Sequence, residues 1–241
     1  LIFRRKNVDY YTDAIIRALQ LIINLDSEVI QVVTTSLKIS ISSTLIASII
    51  SIPLAILIAR NKFKSKKFIN IILNTLLSLP TVVIGIFVYS LISRRGVLGE
   101  LDLLFTPIGI IMGQVILIIP LITALIRNVI FSMDEKLYKT AISIGASRSQ
   151  KFKLLILEAR YGIIGAVIAG FGRVLGEIGV SMMLGGNIKG VTRTITTAMS
   201  LETNKGRFAF ALALGIILLS LSFLINFVTY FLQEGKNYAR R

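Results

Sequence analysis

The chain has 241 residues, 54% hydrophobic and only 16% charged, with a mean hydropathy of +0.81; an ordinary soluble domain carries about 25% charged residues. With no Cys and no His, disulfides, Fe–S clusters and thiolate metal sites are excluded, and the commonest general base is missing. The formal net charge of +15 in so apolar a chain points to the charge asymmetry of a membrane protein rather than to a nucleic-acid partner.

The start, Leu1-Ile-Phe-Arg-Arg-Lys, has no apolar core behind its basic residues, so no signal peptide is expected. Next comes 10-YYTDAIIRALQLIINL-25, which places Ile15, Ile16, Leu19, Ile22 and Ile23 on one helical face. It is too short to cross a bilayer and predicts an interfacial helix opened by an Asp13 cap. Asp26-Ser27-Glu28 predicts the cap of a long helix running through a first span to about Ala59.

Ile39–Ile58, Phe68–Ser93, Leu103–Ile126 and Phe208–Gln233 each run at least 20 residues without a charge, and roughly 20 helical residues cross the hydrocarbon core. A fifth apolar segment, about Tyr161–Leu184, contains Arg173 and Glu177. The expected fold is an all-α polytopic membrane protein with five transmembrane helices and the N-terminal interfacial helix. Residues 1–30 form the N-terminal segment, 31–233 the transmembrane domain with a cytoplasmic loop at about 135–160, and 234–241 a tail.

Orientation follows from the short loops. The stretch 60-RNKFKSKK-67 holds five basic residues; alternation puts 127–160, with seven, and 234–241, with three, on the same side. The other side carries 10, so the bias of 15 to 10 places the N-terminus outside and the C-terminus in the cytoplasm.

Little here can do chemistry. No P-loop and no nucleophile with its base is present. The one charged constellation inside a span is 170-GFGRVLGEIGV-180, where Arg173 and Glu177 at i, i+4 share one helical face and can pair. Each charge alone costs about 2.5–3.5 kcal/mol at the bilayer centre, so both face the bundle interior or a water-filled path. A structural salt bridge and a place on a polar pathway both fit the sequence. Gly172 with Gly176, and Ala166 with Gly170, form small-xxx-small pairs that allow close helix approach, within one subunit or between two. Pro53, Pro80 and Pro120 fall inside spans and predict kinks.

The stretch 140-TAISIGASRSQKFKLLILEAR-160 is polar, helical in pattern and broken at Gly145. Such a helix-turn-helix, with Ala141, Ile142 and Ile144 on its first helix, suits docking into a groove of another protein, or contact with lipid headgroups. It resembles the cytoplasmic coupling loop of ABC importer permeases, whose pattern is Glu-Ala-Ala, three residues, Gly, nine residues, then Ile-x-Leu-Pro. Lys139-Thr140-Ala141 stand at the first three positions, Gly145 at the Gly and Leu155-Ile156-Leu157 at the end, with Glu158 where Pro is usual. The resemblance extends over 25-LDSEVIQVVTTSLKIS-40, 78-SLPTVVIGIFVY-89 and 170–203, and is greatest to the molybdate, tungstate and sulfate branch. Within that branch, Gly185-Gly186-Asn187-Ile188 and Thr192-Arg193-Thr194 resemble a run shared by molybdate and tungstate permeases, and Thr196-Thr197-Ala198 with Leu201-Glu202-Thr203 is most like the tungstate permeases.

That resemblance implies a type I ABC importer permease fold in a multi-pass prokaryotic cell-membrane protein, assembled as a homodimer. Two ATP-binding cassette subunits would sit on the cytoplasmic side, and an extracytoplasmic tungstate-binding protein on the other. The chain would be no enzyme and hold no cofactor; ATP and Mg would be held by the ATPase. It further implies ATPase coupling through Ala141, Gly145, Ala146, Ser147, Leu155 and Leu157. It implies a pathway along Arg173, Glu177, Pro80 and Gly85, and a binding-protein contact at Asn187, Thr192, Arg193 and Thr194. Molybdate or sulfate import, or an ATP-independent anion channel or carrier, are the alternatives.

Overall fold

A computed structural model describes the backbone of residues 2–60, 66–133 and 140–238, and the side chains of residues 12–59, 68–133 and 140–231. The side chains of the 60–67 basic cluster, Lys139 and the 234–241 tail lie outside the described residues. Among those described there is no strand. Nine α-helices are labelled here: α1 Ile2–Ile23, α2 Ser27–Arg60, α3 Lys66–Ser78, α4 Thr81–Ile92, α5 Pro107–Phe131, α6 Arg148–Leu175, α7 Gly179–Gly185, α8 Ile195–Asn204 and α9 Phe208–Tyr238. Four of them are long and apolar enough to span a membrane, and α3 with α4 pass the same test of length and composition only as a bent pair.

Sequence and structure agree at several helix starts. The Asp26 carboxylate accepts from the backbone N–H of Glu28 at 3.0 Å and of Val29 at 3.1 Å, capping α2 as expected. The hydroxyl of Thr106 accepts from the Gly109 N–H at 3.2 Å ahead of Pro107, a residue suited to the first helical position because it has no N–H to leave unpaired.

Three expectations need correction. α1 begins at Ile2, so Asp13 lies in mid-helix and caps nothing; residues 2–12 contain no Gly or Pro to stop the helix earlier. The Phe68–Ser93 run is not one kinked helix. It is interrupted at Leu79–Pro80, because Pro80 cannot donate to the helix ladder. The segment expected at Tyr161–Leu184 is also two helices. α6 starts at Arg148 and ends at Leu175, and α7 follows after a three-residue break at Gly176–Ile178. The polar stretch from Arg148 onward and the first part of the fifth span are therefore one continuous helix, with Glu158 inside it where a Pro would have interfered.

The chain divides into two compact units. In the first (Leu1–Ser42, Thr81–Gln114, Leu175–Leu224), Val29 and Val32 of α2 pack on Ile195 and Ala198 of α8 and on Phe210 and Leu214 of α9, with Leu21 of α1 against them. In the second (Ser43–Pro80, Val115–Val174, Ile225–Arg241), α6 lies close against α5. A Cβ on Gly162 would come within 2.4 Å of Val129, and one on Gly170 within 2.7 Å of Ile122. Ala166 is buried beside them, so the Ala166–Gly170 pair serves packing within this chain. Gly172, by contrast, is exposed, and a Cβ on it would meet nothing within 4 Å. Pro53 and Pro120 lie inside α2 and α5, as expected.

Candidate functional site

The first site is the corner that precedes α6. Residues 140–143 form one helical turn. It ends at Gly145, which has φ +75°. The Gly145 N–H donates to the Ile142 carbonyl at 3.0 Å and the Ala146 N–H to that of Ala141 at 2.9 Å. These are the two bonds of a Schellman cap, and they need a left-handed residue at this point. Two residues on, Ser147 and Gln150 form a capping box. The Gln150 N–H donates to the Ser147 hydroxyl at 3.3 Å and the Ser147 N–H to Gln150 Oε1 at 2.7 Å. One helix stop and one helix start, two residues apart, thus fix the backbone of the corner by local hydrogen bonds.

The corner sorts its residues by face. Ala141 and Leu155 are buried at 7% and 2% exposure, whereas Ile142, Ile144 and Leu157 are exposed at 52%, 78% and 50%. Gly145 and Ser147 are exposed and Ala146 half-buried. Of the six residues expected here, Ala141 and Leu155 anchor the corner from inside, Gly145, Ser147 and Leu157 belong to its outer surface, and Ala146 lies between. Its apolar tip is Ile142 and Ile144, flanked by the exposed Arg148 and Lys153.

The second site is a polar hub in the first unit. Between α7 and α8 the chain makes a compact turn, with the N–H groups of Val191, Thr192 and Arg193 all donating to the Ile188 carbonyl. The Thr192 hydroxyl, fully buried, donates to the Gly185 carbonyl and accepts from the Ile188 N–H at 3.0 Å. Thr194 caps α8 in a reciprocal box with Thr197, at 2.9 and 3.4 Å. The Ile195 N–H donates to Ser36 of α2 at 2.6 Å, and Thr196 donates to the Glu177 carbonyl at 2.8 Å. Asn187, at φ 52°, donates to the Thr197 carbonyl at 3.2 Å.

Charge is placed with equal care. Glu28, at the start of α2, pairs with Arg193 at 3.3 Å and with Lys189 at 3.0 Å. The Arg193 side chain is only 10% exposed, so removing its partner leaves a nearly buried charge, which costs more than losing a surface pair. Glu202, fully buried near the end of α8, pairs with Arg207 and, at 4.0 Å, with Lys205.

Thr192, Arg193 and Thr194 thus face inward and hold the hub together, and Asn187 is half-buried. The surface above them is Ile188, Lys189, Gly190 and Val191, all exposed. Glu177 is buried in the break between α6 and α7, where its Oε1 accepts from the Val180 N–H at 3.3 Å. Because α6 ends at Leu175, Arg173 and Glu177 do not occupy one continuous helical face, and the i, i+4 geometry does not hold. Arg173 is exposed in the last turn of α6. Pro80 sits exposed at the break before α4. Gly85 is buried, and a Cβ there would come 2.8 Å from the Met183 sulfur, so it lets α4 close on α7. Missed from sequence are Gln150, Ser36 and the capping roles of Ser147 and of the Thr194–Thr197 pair; the Ser147–Gln150 box follows the S-x-x-Q signature.

The descriptor that fits this architecture is a binding-protein-dependent transport system inner membrane component. That family matches residues 51–237, and the chain belongs to it. It is 43% identical to the tungstate uptake system permease protein of Campylobacter jejuni, over 97% of this chain and 98% of that one. It is 35% identical to the protein of the same description from Peptoclostridium acidaminophilum, over 94% and 100%. It is 33% identical to the molybdenum transport system permease protein of Escherichia coli, over 70% and 77%. Among solved structures, the fold is similar to a chain of the MetNI methionine ABC transporter in an inward-facing conformation, with a TM-score of 0.71 and 17% identity over 88% and 97% of the two chains. A chain of a bacterial alginate ABC transporter, in complex with its periplasmic protein, gives a TM-score of 0.70 and 19% identity over 85% and 77%. The fold is that of a type I ABC importer permease, and the protein is a multi-pass membrane protein of a class whose members are not catalytic.

Proposed function

We propose that this chain is the permease subunit of an ATP-driven importer of tungstate. The observation that carries this reading is the similarity to tungstate permeases over nearly the full length of the chain, at 43% and 35% identity. Two copies form the membrane channel, and the open notch at Gly172 on α6 suits a helix of the second copy. Two ATPase subunits, which hold ATP and Mg, dock on the corner at Gly145. A tungstate-binding protein docks on the opposite side, where the N-terminus lies and where Ile188–Val191 offers an exposed rim.

The arrangement suggests how the parts share the work. The corner presents an apolar tip, Ile142 and Ile144, held just behind by a helix cap at Gly145 and a capping box at Ser147. A locked tip can transmit a displacement, whereas a flexible loop would absorb it. Because α6 continues from the corner to Leu175 without a break, motion of the docked ATPase is carried along one rigid helix to the residues around Arg173. Arg173, in the last turn of α6, is then the cation that attracts a dianion in transit.

The test is a Gly145→Arg variant in cells that depend on this chain. It enters the membrane but fails to retain the ATPase and to accumulate tungsten. A variant that keeps its ATPase and transports normally would remove the coupling assignment. If molybdenum uptake falls instead of tungsten uptake, the permease reading stands and the cargo changes. If dianions cross liposomes containing this chain alone, without ATP, the chain is a channel or carrier.

A further inference from the structure

We propose that the pocket between the end of α4 and Phe105 is a binding site for a tetrahedral oxyanion, carried either by a free dianion or by the phosphate of a lipid headgroup. The pocket has a volume of about 480 Å³ and is lined by Tyr89, Ser93, Arg94, Arg95, Leu104 and Phe105. Every polar side chain among these is a hydrogen-bond donor, and no carboxylate lines the cavity. Arg94 and Arg95 make no ion pair with a described residue, including Glu100 and Asp102 of the same loop. Two guanidinium groups side by side, left without a counter-charge, favour a ligand with two or more acceptor oxygens.

The pocket is built on rigid backbone. Arg94 and Arg95 occupy the centre of a turn closed by the Gly96 N–H donating to the Ser93 carbonyl at 2.6 Å, and the Leu98 N–H returns to the Leu91 carbonyl at 2.9 Å. The turn is pressed onto the helix end so closely that a Cβ at position 96 would lie 2.3 Å from the carbonyl oxygens of Ser90 and Leu91. The facing wall is held at a cost. Phe105 has φ 62°, a conformation that a bulky L-residue adopts only when its surroundings impose it. Those surroundings are the Leu184 carbonyl, which accepts from the Phe105 N–H at 2.8 Å, and Gly186, whose missing Cβ leaves room for the ring. A Cβ on Gly186 would stand 2.8 Å from the Phe105 ring. The Gly185-Gly186-Asn187 turn of the hub therefore also shapes this pocket, which ties an exposed basic pair to the polar segment that joins α7 to α8.

The experiment places the full chain in nanodiscs of zwitterionic lipid and measures tungstate binding by equilibrium dialysis. Parallel nanodiscs contain phosphatidylglycerol, and retained lipid is counted by native mass spectrometry. If the ligand is a free dianion, the chain binds tungstate in zwitterionic discs, and Arg94→Gln or Arg95→Gln weakens binding about tenfold each. If the ligand is a lipid phosphate, tungstate does not bind, and the chain retains phosphatidylglycerol that the Arg94→Gln/Arg95→Gln variant releases. Phe105→Ala keeps both charges, removes the wall, and weakens whichever ligand is bound. The single arginine variants and Phe105→Ala keep the test decisive should the double variant not fold. The proposal is overturned if wild type and these variants bind tungstate equally and retain equal amounts of phosphatidylglycerol. Tungsten uptake by cells is a separate readout, so loss of this site and failure of the importer reading are distinguishable.

Discussion

Replacing Gly145 separates two ways in which the corner can matter. With φ +75° and nothing within 4 Å of the position a Cβ would take, the site has room for a side chain but not the backbone geometry an ordinary L-residue prefers. Gly145→Ala therefore meets only backbone strain, about 1–2 kcal/mol for a left-handed L-residue. At about 1.4 kcal/mol per tenfold, that is roughly a 5–30-fold loss of the locked corner. Asn tolerates the left-handed region better than Ala, so Gly145→Asn loses only a few-fold although its side chain is larger. The expected order of ATPase affinity is Gly, then Asn, then Ala, read by biolayer interferometry on nanodisc-embedded chain with the purified ATPase. Expression and helix content should not change. An Ala variant equal to Gly would refute the strain argument, and an Asn variant worse than Ala would show that bulk rather than backbone decides.

Three further outcomes follow from the packing and the charges. Glu28→Gln leaves the nearly buried Arg193 without its carboxylate partner; we expect a loss of about 3 kcal/mol in denaturant midpoint analysis, partly restored by Arg193→Gln in the same chain. Thr194→Ala removes the cap of α8 and costs about 1 kcal/mol; the readout is local hydrogen exchange at Thr196–Ala198, and unchanged protection would contradict the capping role. Gly162→Ala forces a Cβ against Val129 and costs about 1–3 kcal/mol, and Val129→Ala in the same chain should recover most of it, whereas simple additivity of the two changes would contradict close packing there.

Much of the fold was legible because apolar run length is a strong signal: the spans carried by α2, α5 and α9 stand close to where uncharged stretches place them. The breaks were not legible in the same way. Pro80 reads equally well as a kink or a stop, and only its neighbours decide which. The break at Gly176–Ile178 is hidden because Gly-rich apolar sequence suits both a close-packed helix and a helix end, so spacing alone puts Arg173 and Glu177 on a helical face that in fact ends at Leu175. At the hub, the Thr-Arg-Thr run is visible but not its direction. Exposed positive charge and buried positive charge look alike in sequence until the partner, here Glu28 165 residues away, is known. The corner was the easiest part to find, since Gly145 in a polar helical pattern is a local signal that needs no tertiary partner; the Ser147–Gln150 spacing is equally local but went unread.

The most direct test of the account is elemental analysis of cells with and without this chain, supplied with low tungstate or low molybdate. The account predicts a selective loss of tungsten accumulation when the chain is absent, with molybdenum little changed. Unchanged tungsten accumulation would contradict it.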